Sequence, residues 1–140
     1  MAQTGSLSNT LEDTVTLSRE LREEGQIDGQ VKLYNVDDDD EFESDAELFF
    51  ERTLMTQGLR EAISILRDSL TGDDPRGTHI LYGPYGSGKS HQMVALYHCF
   101  DDPAAAGAWA SDSVEGFDDA LPESATPITV AMQNEQYEYL

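Results

Sequence analysis

The 140-residue chain carries 28 Asp and Glu against eight Lys and Arg, a formal net charge of −20, and 39% of its residues are apolar. That length accommodates one domain with one modest core, and no run of 18 apolar residues offers a spanning helix, while Met1–Ser6 lacks the basic and apolar regions of a secretory signal. So acidic a surface repels phosphate backbones, which argues against direct nucleic-acid binding, and the single Cys99 points to a reducing cytoplasm.

Acids run along nearly the whole length. A disordered acidic chain, an acidic partner-binding surface and adaptation to high salt all fit such a charge. Periodic apolar segments disfavour the first. We favour salt adaptation, in which dense carboxylates hold water and self-repulsion is screened.

In chain order, Leu7 to Glu24 reads as a helix, with Leu7, Leu11, Val15, Leu17 and Leu21 near one face and Gly25 as a stop. Ile27 to Val36 is mixed, and Val31, Leu33 and Tyr34 suggest an extended piece. The run Asp37 to Glu41 lacks a turning glycine at ligand spacing, so a solvated loop is expected rather than a cation site. Ala46 to Thr53 reads as a short helix with Leu48, Phe49 and Phe50. Gln57 to Leu70 is amphipathic, with Leu59, Ile63, Leu66 and Leu70 at three- and four-residue spacing, supported by Ala62 and Ile65. Thr56 is its expected N-cap and Gly72 its C-cap.

Beyond the loop Asp73 to Gly77, the apolar stretch Thr78 to Tyr82 reads as a buried parallel strand. The next helix should span Gly88 to Phe100, with Met93, Val94, Leu96 and Tyr97 packed onto a sheet, and end at Asp101-Asp-Pro103. Ala104 to Ser111 forms a short helix around Trp109. Residues 112 to 126 show no periodicity, and Pro127 to Met132 is a second strand candidate.

Between the first expected strand and its helix lies Gly83-Pro-Tyr-Gly-Ser-Gly-Lys-Ser90, which meets the phosphate-loop pattern Gly-x-x-x-x-Gly-Lys-Ser. Gly83 permits a sharp exit turn. Gly86 and Gly88 open backbone angles closed to other residues and clear the path of the phosphates. Backbone N–H groups and the helix N-terminus then face the anion, Lys89 reaches the β- and γ-phosphates, and Ser90 places its hydroxyl on magnesium. The expected ligands are therefore ATP and Mg, and the expected binding residues are Gly83, Pro84, Tyr85, Gly86, Ser87, Gly88, Lys89, Ser90 and His91. One of only two lysines in the chain stands here, the other being Lys32. His91 and Tyr85 could each touch the ligand or merely face solvent. His79 is expected in the core or at a sheet edge, and His98 with Cys99 is two ligands short of a metal site.

Hydrolysis by such proteins uses a carboxylate at the end of a second apolar strand. Pro127 to Met132 is followed by Gln133-Asn-Glu135, where Glu135 fits that role poorly, and no arginine follows Arg76. The catalytic role is thus left unassigned. The expectation is the N-terminal piece of a larger ATPase, or a truncated product, ending before its acid-bearing strand.

Phe49-Phe-Glu-Arg-Thr-Leu-Met-Thr-Gln-Gly-Leu-Arg60, the loop, Ala95-Leu-Tyr-His98 and Leu21-Arg-Glu-Glu-Gly-Gln-Ile-Asp28 resemble the N-terminal region of the large P-loop ATPases of phage-resistance islands. These are the domain-of-unknown-function 499 family, similar to BREX and Pgl ATPases, and the present chain has a haloarchaeal look. The resemblance covers most of residues 15 to 110. Family members commonly read Gly-Gly-Gly-Lys-Thr-His where this chain reads Gly86-Ser-Gly-Lys-Ser-His91, and they are several times longer. The resemblance implies ATP binding and, in the intact protein, ATP-driven work with protein partners of a defence complex.

The expected architecture is α/β, a partial P-loop fold of AAA+ type, with a helical extension over residues 1–72 and the start of the ATPase domain over 73–140. A small P-loop kinase is the rival enzyme reading, disfavoured for want of arginines after the loop. A non-catalytic subunit docking through Leu7 to Leu21 and an exposed sheet edge is the rival interaction reading.

Overall fold

The computed structural model describes residues 30–39 and 41–130. The chain divides into two compact units, Met1–Gln30 and Val31–Leu140, and the elements below belong to the second. The expected helix from Leu7 to Glu24, its stop at Gly25, and Ala131, Met132 and Glu135 lie outside the described residues.

Among the described residues five α-helices form: α1 (Ala46–Glu51), α2 (Gln57–Thr71), α3 (Lys89–Asp101), α4 (Pro103–Ala110) and α5 (Phe117–Ala120). Two 3-10 turns, Leu33–Asn35 and Phe42–Ser44, precede them. Helix starts follow from local chemistry. Asp45 accepts the Leu48 N–H at 3.0 Å to open α1, and Thr56 accepts the Leu59 N–H at 3.3 Å to open α2. Asp102 accepts the Ala105 N–H at 3.0 Å to open α4, where Pro103 occupies a first-turn position that needs no N–H. Pro103 thus begins a helix as well as following one. Gly72 closes α2 at φ +84°, a left-handed angle that costs a side chain but not glycine.

The core is one cluster built from α1, α2, α3, α4 and the segment around Val114–Phe117. Phe49, Ile63, Val94, Cys99 and Phe117 are fully buried. The face of α2 is narrower than its spacing suggests: Leu59 and Ile63 are buried and Leu66 packs at the edge, but Ile65 and Leu70 are exposed. Small residues on α4 allow close packing. A Cβ on Gly107 would stand 3.2 Å from the Asp118 Cβ, so α5 lies directly on α4.

The described residues are helical, with no strand, sheet or barrel, so this is not the α/β P-loop fold read from the sequence. Thr78 to Tyr82 was expected to be buried, yet Ile80 is 82% and Tyr82 89% exposed. Ile128 and Val130 are likewise 87% and 79% exposed. Apolar composition gives such segments strand propensity, but a strand exists only when another extended segment bonds to it, and none of the described residues does so.

The inward face of α3 consequently differs. Val94, Ala95, His98 and Cys99 are buried against helices, while Met93 is exposed and Leu96 and Tyr97 are half-buried. The piece around Leu33 is a 3-10 turn rather than extended. His79 is exposed in the stretch before the loop, bonded to Ser69 Oγ at 2.9 Å, rather than in a core or at a sheet edge. The aperiodic region 112–126 holds α5, whose single Phe117 anchors it.

Candidate functional site

The segment Gly83–Gly88 is exposed and runs straight into the first turn of α3, which begins at Lys89. Gly86 and Gly88 sit at φ +78° and +80°, with open space where a Cβ would go. Their requirement for glycine is therefore conformational. Gly83 differs: a Cβ there would stand 2.8 Å from Ser87 Oγ. The Ser87 N–H returns to the Pro84 carbonyl at 3.3 Å, which folds the loop into a turn.

Lys89 is curled back onto that turn. Its ammonium donates to the Gly83 carbonyl at 2.9 Å and the Pro84 carbonyl at 2.7 Å, and lies 3.4 Å from Ser87 Oγ. A cation held by neutral carbonyls, beside a helix N-terminus whose capping residue has no side chain, gains more from an anion than from those carbonyls. Ser90, one residue on, is exposed, as is Tyr85. No group of three or more His, Cys, Asp or Glu that could hold a metal occurs among the described residues. The acidic run is exposed at Asp37, Asp38, Asp39 and Glu41, as a solvated loop should be.

His91 turns away from the loop. Its ring lies 4.8 Å from that of Phe49, and its Nε2 is 2.9 Å from Thr53 Oγ1. Burial holds the imidazole below its ordinary protonation range, favouring the neutral ring. Thr53 Oγ1 already donates its proton to the Phe49 carbonyl at 2.6 Å, so it accepts from His91. The Thr53 carbonyl in turn accepts from Trp109 Nε1 at 3.1 Å, and the Trp109 ring stacks on Phe50 at 4.6 Å. His98 completes the group, 5.6 Å from Phe49 and 6.0 Å from Phe50 by ring centroids. It donates from Nε2 to the Glu43 carbonyl at 2.7 Å.

The structure thereby brings together the motif residues that were separate in the sequence. Phe49, Phe50 and Thr53 of one motif meet His91 of the loop and His98 of another. Sequence reading missed the roles of Thr53 and Trp109; the signal available was Thr53 closing the Phe-Phe-x-Arg-Thr motif. Cys99 is buried, with its Sγ 3.2 Å from the Ala95 carbonyl, and burial pushes its thiol up to about 12. A thiol held so high stays protonated at neutral pH.

The family model for the DUF499 N-terminal domain matches residues 18–137. The chain belongs to that family. No curated protein and no solved structure matches it. A match to an N-terminal domain is consistent with a part of a larger protein. No helix among the described residues is long and apolar enough to cross a membrane.

Proposed function

We propose that this chain binds ATP with magnesium through Gly83–Ser90, as the N-terminal part of a larger defence-associated ATPase. The observation that carries the reading is the Lys89 ammonium, folded onto the Gly83 and Pro84 carbonyls at the start of α3. The residues fit the group. Lys89 would exchange carbonyl partners for phosphate oxygens, Gly86 and Gly88 keep the approach free of side chains, and Ser90 would supply a hydroxyl to magnesium. None of this requires a sheet, because the donors are a helix terminus, a loop backbone and one side chain. The defence context rests on the family resemblance, and the favoured work of the larger protein is ATP-driven rather than phosphoryl transfer to a metabolite.

The test is calorimetric titration with ATP–magnesium in molar salt, on this chain and on Lys89→Ala. Binding that depends on Lys89 supports the reading. Absence of binding by the folded chain overturns it.

A second reading has its own observation. Ile80, Tyr82, Ile128 and Val130 expose large apolar surface on segments outside any regular element, as in a subunit that docks to another protein. Sedimentation equilibrium separates the two: a stable monomer that binds nucleotide favours the first.

A further inference from the structure

Gly83–Gly88 is exposed throughout, yet His91, in the first turn of the helix that follows, is fixed on two sides. We infer that Thr53 and His91 are positioning residues for the phosphate-binding turn, acting through a hydrogen bond that sets the direction of the first turn of α3. The inference rests on the ATP reading above and adds how that site is held in shape.

Three observations carry it. First, the hydroxyl proton of Thr53 is committed to the Phe49 carbonyl at 2.6 Å. The 2.9 Å contact with His91 therefore requires a proton on His91 Nε2, which selects one tautomer and one ring orientation. Secondly, Thr53 is itself pinned. Its carbonyl accepts from Trp109 of α4 at 3.1 Å, and Phe50 of α1 stacks on that same indole. Thirdly, His91 lies in the first helical turn, one residue from Ser90 and two from Lys89. A rotation of that turn would displace both proposed ligand-facing side chains together. Gly83–Gly88 cannot resist such a rotation alone, since its glycines are permissive and its side chains are in solvent. Placing side chains and backbone donors before the ligand arrives lowers the cost of ordering them on binding.

The experiment compares ATP–magnesium affinity by calorimetry in wild type, Thr53→Val, Thr53→Ser and His91→Phe, with urea unfolding of each. Nitrogen shifts of the His91 imidazole are recorded for the chains that keep it. Thr53→Val keeps the shape and removes the acceptor, whereas Thr53→Ser keeps the hydroxyl. The expected result is affinity reduced about tenfold in Thr53→Val and His91→Phe, with Thr53→Ser within about twofold of wild type. The imidazole shifts should report the Nε2–H form in wild type and Thr53→Ser, and a mixture in Thr53→Val. Should Thr53→Val not fold, His91→Phe carries the test, because a phenyl ring can keep the half-buried contact with Phe49. Wild-type affinity in folded Thr53→Val or His91→Phe overturns the inference and leaves ATP binding standing. No binding by wild type overturns the ATP reading and the inference with it.

Discussion

Trp109 donates its indole N–H to the Thr53 carbonyl at 3.1 Å, joining two residues 56 positions apart. The same ring stacks on Phe50 at 4.6 Å with an interplanar angle of 23°. Two separable contributions meet in one side chain, and substitution can divide them. Trp109→Phe keeps a stacking ring but leaves the carbonyl without its donor, which should cost about 1 kcal/mol. Trp109→Ala also loses the packing and should cost about 3 kcal/mol. Urea unfolding checks both, as midpoint shifts at constant slope. Equal midpoints for the two variants would show that the stack contributes nothing.

Gly72 and Gly88 form a matched pair. Both are left-handed, at φ +84° and +80°, and neither has an atom within 4 Å of an added Cβ. Alanine at either position should therefore cost the same backbone penalty, about 1 kcal/mol. Their surroundings differ: Gly72 ends α2, while Gly88 precedes Lys89 at the proposed site. Gly88→Ala is expected to weaken ATP–magnesium binding, whereas Gly72→Ala should leave it unchanged. Calorimetry on both, beside their unfolding curves, checks this. Equal losses of affinity would trace the effect to stability rather than to the loop.

Two titrations should bound stability from opposite sides. Burial lowers the His91 pKa below its ordinary 6.5. The unfolded chain then takes up a proton that the folded chain resists, so this contribution is present above pH 6.5 and is lost as pH falls below it. Burial raises the Cys99 thiol from 9.0 to about 12. The unfolded chain releases its proton first, so that contribution is intact below pH 9 and is lost between there and pH 12. Unfolding free energies across pH, relative to His91→Phe and Cys99→Ala, should show the acid limb flattened in the first variant and the alkaline limb flattened in the second. At pH 8 a thiol reagent should label native Cys99 at least about a hundredfold more slowly than in urea. Labelling at equal rates would contradict its burial.

The helices were legible where a local rule decides them. Thr56 and Gly72 act through neighbours a few residues away, so α2 could be placed closely from the sequence; Asp45 obeys the same rule at α1 but was not read as its cap. α3 was legible for a similar reason, as glycines must give way to a residue such as Lys89 that can start a helix. The sheet was misread because Thr78 to Tyr82 has the composition of a buried strand, and composition carries no information on whether a partner strand lies alongside. α5 went unseen because a single turn has no period, and one buried Phe117 holds it. In the candidate site, the loop pattern is contiguous and could be read directly. The bond from Thr53 to His91 spans 38 positions and depends on tertiary packing. His91 was read as touching the ligand or merely facing solvent, and nothing local in the sequence pointed to its contact with Thr53.

Glu43 offers the sharpest separation of hydrogen bonding from charge in this core. It is 2% exposed; its Oε1 accepts the Lys32 backbone N–H at 2.8 Å, and its Oε2 is buried without a hydrogen-bond partner. Its own carbonyl receives His98 Nε2 at 2.7 Å, an interaction that substitution of the Glu43 side chain does not remove. Glu43→Gln preserves the accepting oxygen and replaces an ionisable carboxyl by a neutral amide, so its effect should stay within about 1 kcal/mol of wild type. Glu43→Ala removes the acceptor, leaves the Lys32 N–H without it and opens a void beside the first 3-10 turn, and should destabilise by about 2–3 kcal/mol. Unfolding in urea at neutral pH measures both. If Gln and Ala destabilise equally, the carboxylate charge matters more than the bond to Lys32, and the accepting oxygen is not what anchors this segment to the core.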